Sequence, residues 1–264
     1  MNKKLEEEPE GVAAPLMEHL TELRTRLLNS VLSFVVCMIL CFPVADRIFN
    51  FLAQPIVRML QENGQKPDLI FTGLQQGFMV NIQISLFGGF MISFPIIGYQ
   101  LWKFVAPGLY KSEKGAFLPF LIASPVLFLL GASFAFYIVM PLAFDFFLSF
   151  QQQQDPDVVS LVGITYLGTI NEYLGLTMKF IIAFGLCFQL PVLLTLMGKA
   201  GLVSSEGLGT VRKYAVVGIL ILAAIVTPPD VITQVILFSV VYALYEVSIF
   251  MVKIVEKERS KKEI

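Results

Sequence analysis

The chain has 264 residues, 56% of them hydrophobic and only 15% charged, with 24 Phe and a mean hydropathy of +0.75. Soluble domains carry roughly 25% charged residues, so this composition excludes a soluble globular protein and predicts a membrane protein. The formal net charge of -1 points away from a general polyanion partner such as nucleic acid, and leaves the placement of the charges as the informative quantity.

The first ten residues are acidic rather than basic, and no small-residue cleavage site follows a short apolar core, so no removable signal peptide is expected. Next, Leu16, Leu20, Leu23 and Leu27 recur at three- and four-residue steps, with Glu18, Glu22 and Arg26 in an adjacent polar stripe. This spacing predicts an amphipathic helix lying along the cytoplasmic interface. Glu22 and Arg26 stand at i, i+4, so a simple ion pair within the helix is the competing reading of the same residues.

A spanning helix needs about 20 apolar residues at about 1.5 Å each to cross roughly 30 Å of hydrocarbon. Six segments meet or approach that length: Leu27 to Phe42, Gly77 to Gln100, Ala116 to Leu142, Tyr173 to Met197, Tyr214 to Thr227 and Val231 to Val252. With the amino terminus in the cytoplasm, fifteen of the nineteen Lys and Arg residues fall in cytoplasmic segments. Three (Arg47, Arg58, Lys66) lie outside and one (Lys179) lies within a span. The positive-inside rule therefore predicts both termini in the cytoplasm.

The first outer loop, Pro43 to Gln76, holds apolar residues at helical spacing between Asp46 and Leu60, which predicts short surface helices. The second runs from Asp145 to Ile170 and carries a polar turn at Gln151-Gln152-Gln153-Gln154-Asp155-Pro156-Asp157. Pro95, Pro119, Pro125, Pro141 and Pro191 sit within or beside spans and predict a bent, concave bundle. Only Tyr214 to Pro229 separates the charges Lys213 and Asp230, so the fifth and sixth spans are expected to be short, their hairpin either stopping below the outer surface or thinning the bilayer around it. No repeat or soluble domain is apparent. The expected architecture is all-α: one polytopic membrane domain over residues 1–264 with six transmembrane helices and polar cytoplasmic tails at 1–14 and 257–264.

Cys37, Cys41 and Cys187 lie in apolar runs without ligand spacing and read as buried hydrophobes. His19 is the single histidine, and no nucleophile elbow, phosphate loop or metal-ligand cluster is present, so neither an enzyme nor a cofactor is expected. Lys179 is the one cation deep in a span, with Glu172 seven residues before it. It marks a functional position or snorkels toward the outer surface. Gln189 adds a neutral polar group that does not titrate. Glu113 follows Tyr110-Lys111-Ser112 at the start of the third span, where Ser112 suits an N-cap and a carboxylate suits the helix terminus. Glu22 and Glu113 together offer two carboxylates on the cytoplasmic face, matched to two guanidinium groups.

Six strings in order carry a resemblance: His19-Leu20-Thr21-Glu22-Leu23-Arg24; Ala53-Gln54-Pro55; Phe94-Pro95-Ile96; the run from Tyr99 to Glu113; Phe184-Gly185 with Phe188-Gln189-Leu190-Pro191; and Thr227-Pro228-Pro229-Asp230-Val231. Over nearly its whole length the chain resembles the TatC family, the multi-span receptor subunit of the twin-arginine protein translocase of the bacterial cytoplasmic (inner) membrane. The resemblance implies gradient-driven export of folded cargo whose signal peptides bear two consecutive arginines. It implies Glu22 and Glu113 as acceptors of that pair, with Arg24, Phe104, Pro107, Tyr110 and Lys111 shaping the site. Pro55 and Asp230 look like family positions needed for transport. Thr227 and Gln234 look like the polar cluster receiving single-span partner subunits of the TatA/TatB type, and self-association in a larger complex is implied. The family often has Glu where this chain has Gln189, so hydrogen bonding rather than ionisation is expected there. A small-molecule secondary transporter is the competing reading, and the lack of related halves counts against it.

Overall fold

The computed structural model describes residues 10–109, 118–151 and 166–262. Among them every regular element is helical, and a lone bridge between Ile70 and Thr169 is the one β-type pairing. Lipid imposes this: with no water in the hydrocarbon, each backbone amide must be satisfied within its own segment.

Helix α1 (Glu10–Cys41) runs 32 residues without interruption. The expected interfacial helix is therefore not a separate element. Between Pro15 and Pro43 no breaker occurs, and Thr21, Thr25 and Ser30 return their hydroxyls to carbonyls of the preceding turn, so the helix propagates straight into the first apolar run. A 3-10 turn at Phe42–Val44 leads into α2 (Ala45–Leu52) and α3 (Gln54–Glu62), the expected short loop helices. Their apolar faces are not at the surface: Leu52, Ile56 and Leu60 are buried, and the Tyr173 hydroxyl donates to the Leu52 carbonyl.

Helix α4 (Gln76–Leu109) packs along α1. At Gly89 a Cβ would lie 2.7 Å from the Met38 Cα, so the two backbones meet where no side chain intervenes. Helix α5 (Leu118–Phe134), a π-helical turn at Ala135–Val139 and α6 (Met140–Leu148) form one continuous stretch with Pro125 inside it. Helix α7 (Ile170–Cys187) is capped by the Thr169 hydroxyl and breaks at Phe188 and Gln189 before α8 (Leu190–Lys199). The centre is aromatic. Phe94 of α4 stacks on Phe128 of α5 at 3.6 Å between ring centroids, and Phe180 and Phe184 of α7 close the layer.

Among the described residues five helical stretches are long and apolar enough to cross a membrane: His19–Glu62, Gln76–Phe104, Pro119–Leu148, Ile170–Lys199 and Val231–Arg259. After the short α9 (Ser205–Thr210), helix α10 (Arg212–Val226) has only 15 residues. At about 1.5 Å per residue it rises about 22 Å, short of the hydrocarbon core as its sequence predicts. The expectation of an equally short sixth segment is corrected: α11 (Val231–Lys262) has 32 residues and packs against α8, with Val252 filling the space beside Gly198. At Glu246 it is tied to α10 and to its own preceding turn: that carboxylate accepts from Arg212 Nη2 at 2.8 Å and from the Tyr242 hydroxyl at 2.9 Å. Helix also enters both expected tails, from Glu10 and as far as Lys262.

Candidate functional site

The first candidate site is built where α1 and the last turns of α4 run side by side. His19 of α1 stacks on Phe104 of α4 at 4.4 Å with an interplanar angle of 15°. One turn along α1, Glu22 accepts from Arg26 Nε at 3.0 Å and also from Arg26 Nη2, both at Oε1. Its second oxygen, Oε2, faces His19 Nδ1 at 3.9 Å and accepts no hydrogen bond from the described residues. The Glu22 side chain is 31% exposed and that of Arg26 only 15%, so the anion stands outward and its countercharge is tucked behind it. Lys103, lying over the Tyr99 ring at 5.5 Å, adds a second positive field at Glu22. The arrangement is a braced carboxylate: one oxygen committed to the helix, the other turned to an exposed aromatic corner.

The i, i+4 ion pair and a receptor role for Glu22 are thus compatible rather than exclusive. Arg24 is exposed on the same helix. Pro107 lies within α4, whereas Tyr110, Lys111 and Glu113 fall outside the described residues, so the second acid is not placed relative to the first.

The remaining sequence-selected residues lie elsewhere. Gln189, at the break between α7 and α8, makes a reciprocal pair with Ser124 of α5: the Ser124 hydroxyl donates to Oε1 at 2.6 Å, and Nε2 donates to the Ser124 carbonyl at 3.0 Å. Both atoms of the amide are used, one as donor and one as acceptor, a pattern an ionised carboxylate does not reproduce. Asp230 caps α11, accepting from the Thr233 amide at 2.7 Å and from the Thr233 hydroxyl. Thr227 is buried at the end of α10 and donates to the Ala223 carbonyl at 2.9 Å. Gln234 is half-buried one turn into α11, and Pro55 is buried in the first turn of α3. Lys179 projects from the exposed side of α7, with no carboxylate in salt-bridge range among the described residues.

Three contacts escape a reading of the sequence. The His19–Phe104 stack joins residues 85 positions apart, the Ser124–Gln189 pair spans 65, and the Arg212–Glu246 bridge spans 34. Only the last leaves a local trace, in the i, i+4 spacing of Tyr242 and Glu246. No group of three or more potential metal ligands occurs among the described residues.

Residues 18–239, which contain every candidate position from Glu22 to Gln234, match the family model described as Sec-independent protein translocase protein (TatC). The chain belongs to the TatC family. Among curated TatC proteins, that of Magnetococcus marinus is 45% identical over 95% of this chain and 88% of the relative, and that of Aquifex aeolicus is 40% identical over 95% and 98%. A solved structure described as the twin arginine translocase receptor TatC superposes with a TM-score of 0.77 at 38% identity, covering 90% of this chain and 99% of that one. As a TatC-family chain it is a subunit of a Sec-independent protein translocase, a transport component with several membrane-length helices.

Proposed function

We infer that this chain is the receptor of a twin-arginine translocase in the bacterial cytoplasmic (inner) membrane, binding the arginine pair of a signal peptide at its cytoplasmic face and organising gradient-driven export of folded cargo. Six spans, a bent concave bundle, a single membrane domain and cytoplasmic termini belong to this reading, with α10 as the short fifth span. The observation that carries it is Glu22: an outward-standing carboxylate held at Oε1 by Arg26, with Oε2 turned toward His19 and Phe104. A guanidinium approaching Oε2 gains a charge-assisted hydrogen bond and an aromatic face on which to lie. Lysine brings a point charge without the planar fork, which gives the site a physical reason to prefer Arg-Arg.

In this reading Glu113 accepts the second arginine, while Arg24, Phe104, Pro107, Tyr110 and Lys111 shape the pocket. Thr227 and Gln234, beside the α10–α11 turn, receive a single-span partner subunit of the TatA/TatB type. Pro55 and Asp230 hold the outer elements in the form transport requires, and Lys179 and Gln189 act within the membrane. The short α10 thins the bilayer locally and lowers the barrier to a polar chain. The receptor name printed for the superposing structure, at 38% identity, supports the assignment.

The test is site-specific photocrosslinking from positions 22 and 113 to a signal peptide bearing Arg-Arg, compared with the same peptide bearing Lys-Lys. Crosslinks that depend on the arginine pair are expected. Crosslinks indifferent to the pair, or none, would leave these acids with a structural role only.

A further inference from the structure

Away from the peptide site, a groove of about 310 Å³ lies between α2, α4, α5 and α7. Its walls include Phe51 and Leu52 of α2, Gly88 and Met91 of α4, Ala132 of α5 and Phe136 of the π turn. A local feature shapes the space: the π turn adds a residue to its helix, so that Phe136 is buried in the wall while its neighbour Tyr137 is 64% exposed at the rim. Ile92 and Leu129, also on the rim, are 62% and 50% exposed, so the groove opens sideways, toward where the bilayer lies.

Size and chemistry narrow the occupant. Water finds little there to bind, since apolar walls leave it without the two to four polar partners it needs. An acyl chain fits. If each methylene takes about the ~30 Å³ share of a water molecule, the groove holds roughly ten of them. Lipid tails gain nothing hydrophobic by leaving other tails, so a lasting stay depends on fit and on the headgroup. Arg47, on the same helix as the wall residues Phe51 and Leu52, offers a cation for the headgroup. It is exposed in the first turn of α2, next to the wall residue Ile48 and one turn before Phe51, while Asp46 lies about 100° round the helix from it and farther from Phe51.

We propose that this groove is a binding site for an anionic phospholipid, with one acyl chain in the groove and its phosphate on the Arg47 guanidinium. The lipid seals the wedge between α2 and α5 that the π turn opens. Its residence is independent of peptide binding at the cytoplasmic end of α1 and α4.

The test uses the full chain in phosphatidylethanolamine vesicles containing phosphatidylglycerol with a diazirine in the acyl chain, with labelled residues mapped by mass spectrometry after illumination. Label is expected to concentrate on Met91, Ile92, Leu129 and Ser133 above other lipid-exposed positions such as Leu28 and Ile225. Ser133→Trp, which fills the groove from an exposed position, should remove most of it. Arg47→Gln should lower the preference for the phosphatidylglycerol probe over a phosphatidylcholine probe by about fivefold, the worth of one basic residue at an anionic surface. Label spread evenly over lipid-exposed residues, label untouched by Ser133→Trp, or a headgroup preference unchanged by Arg47→Gln would each overturn the proposal.

Discussion

Substituting Gly89 by Ala sets the two largest effects of a helix glycine against each other. Ala is the better helix former by about 0.5–1 kcal/mol, so the change is stabilising wherever there is room. At Gly89 there is none: the new Cβ would lie 2.7 Å from Met38 Cα and 2.8 Å from Met38 N, both backbone atoms of α1. Carbon atoms settle at about 3.5–4.0 Å, so α1 must retreat by about 1 Å, and overpacking of that kind costs about 1–3 kcal/mol. The net expectation is a loss of about 1–2 kcal/mol. Gly218 of α10 is the matched control, because nothing lies within 4 Å of its added Cβ and the same substitution should gain up to about 1 kcal/mol. Equilibrium unfolding of both variants in mild detergent titrated with sodium dodecyl sulfate gives the two values. A Gly89→Ala protein as stable as Gly218→Ala would refute the backbone contact between α1 and α4.

Three further outcomes are expected. Glu22→Gln keeps the shape but removes the charge, and should weaken an Arg-Arg peptide at least about tenfold in direct binding, with little change for Lys-Lys. For Gln189→Leu and Ser124→Ala, a double-mutant cycle on unfolding should return a coupling of about 0.6–2 kcal/mol, the range for hydrogen bonds between membrane helices, whereas additive losses would mean the pair contributes nothing. Asp230→Ala removes the cap of α11 and should cost about 0.5–2 kcal/mol. Hydrogen exchange of the amides of Thr233 and Gln234 should accelerate while that of Tyr245 stays unchanged.

Much of this architecture is legible in the sequence because hydrocarbon is an exacting solvent. Uncharged runs such as Gly77 to Gln100 have few alternatives to spanning helix, and the scarcity of residues between Lys213 and Asp230 already sets the length of α10. The order of strings from His19 to Val231 identifies the family. What escapes is whatever one helix learns from another. The bridge from Glu246 to Arg212 joins residues 34 positions apart, and Gln189 reads as a lone polar group until Ser124 is seen across from it. The π turn at Ala135–Val139 has no compositional mark, since Phe, Tyr, Ile and Val suit an ordinary helix there equally well. The cap by Asp230 was within reach: an acid after two prolines and before an apolar run, with Thr three residues on, is an N-terminal signature. For the candidate site, three of the seven expected residues, Tyr110, Lys111 and Glu113, lie outside the described residues, so Glu22 and Phe104 carry most of its geometry.

Helix α11 has one more consequence. Its 32 residues rise about 48 Å against about 30 Å of hydrocarbon in a bilayer, so the helix is some 18 Å longer than a perpendicular crossing needs. That surplus is not left to sway. Glu256 accepts from the Ser205 amide at 2.9 Å and from the Ser205 hydroxyl, which ties the last turns to the first turn of α9. The result is that the surplus length of α11 is braced against a second helix rather than standing alone.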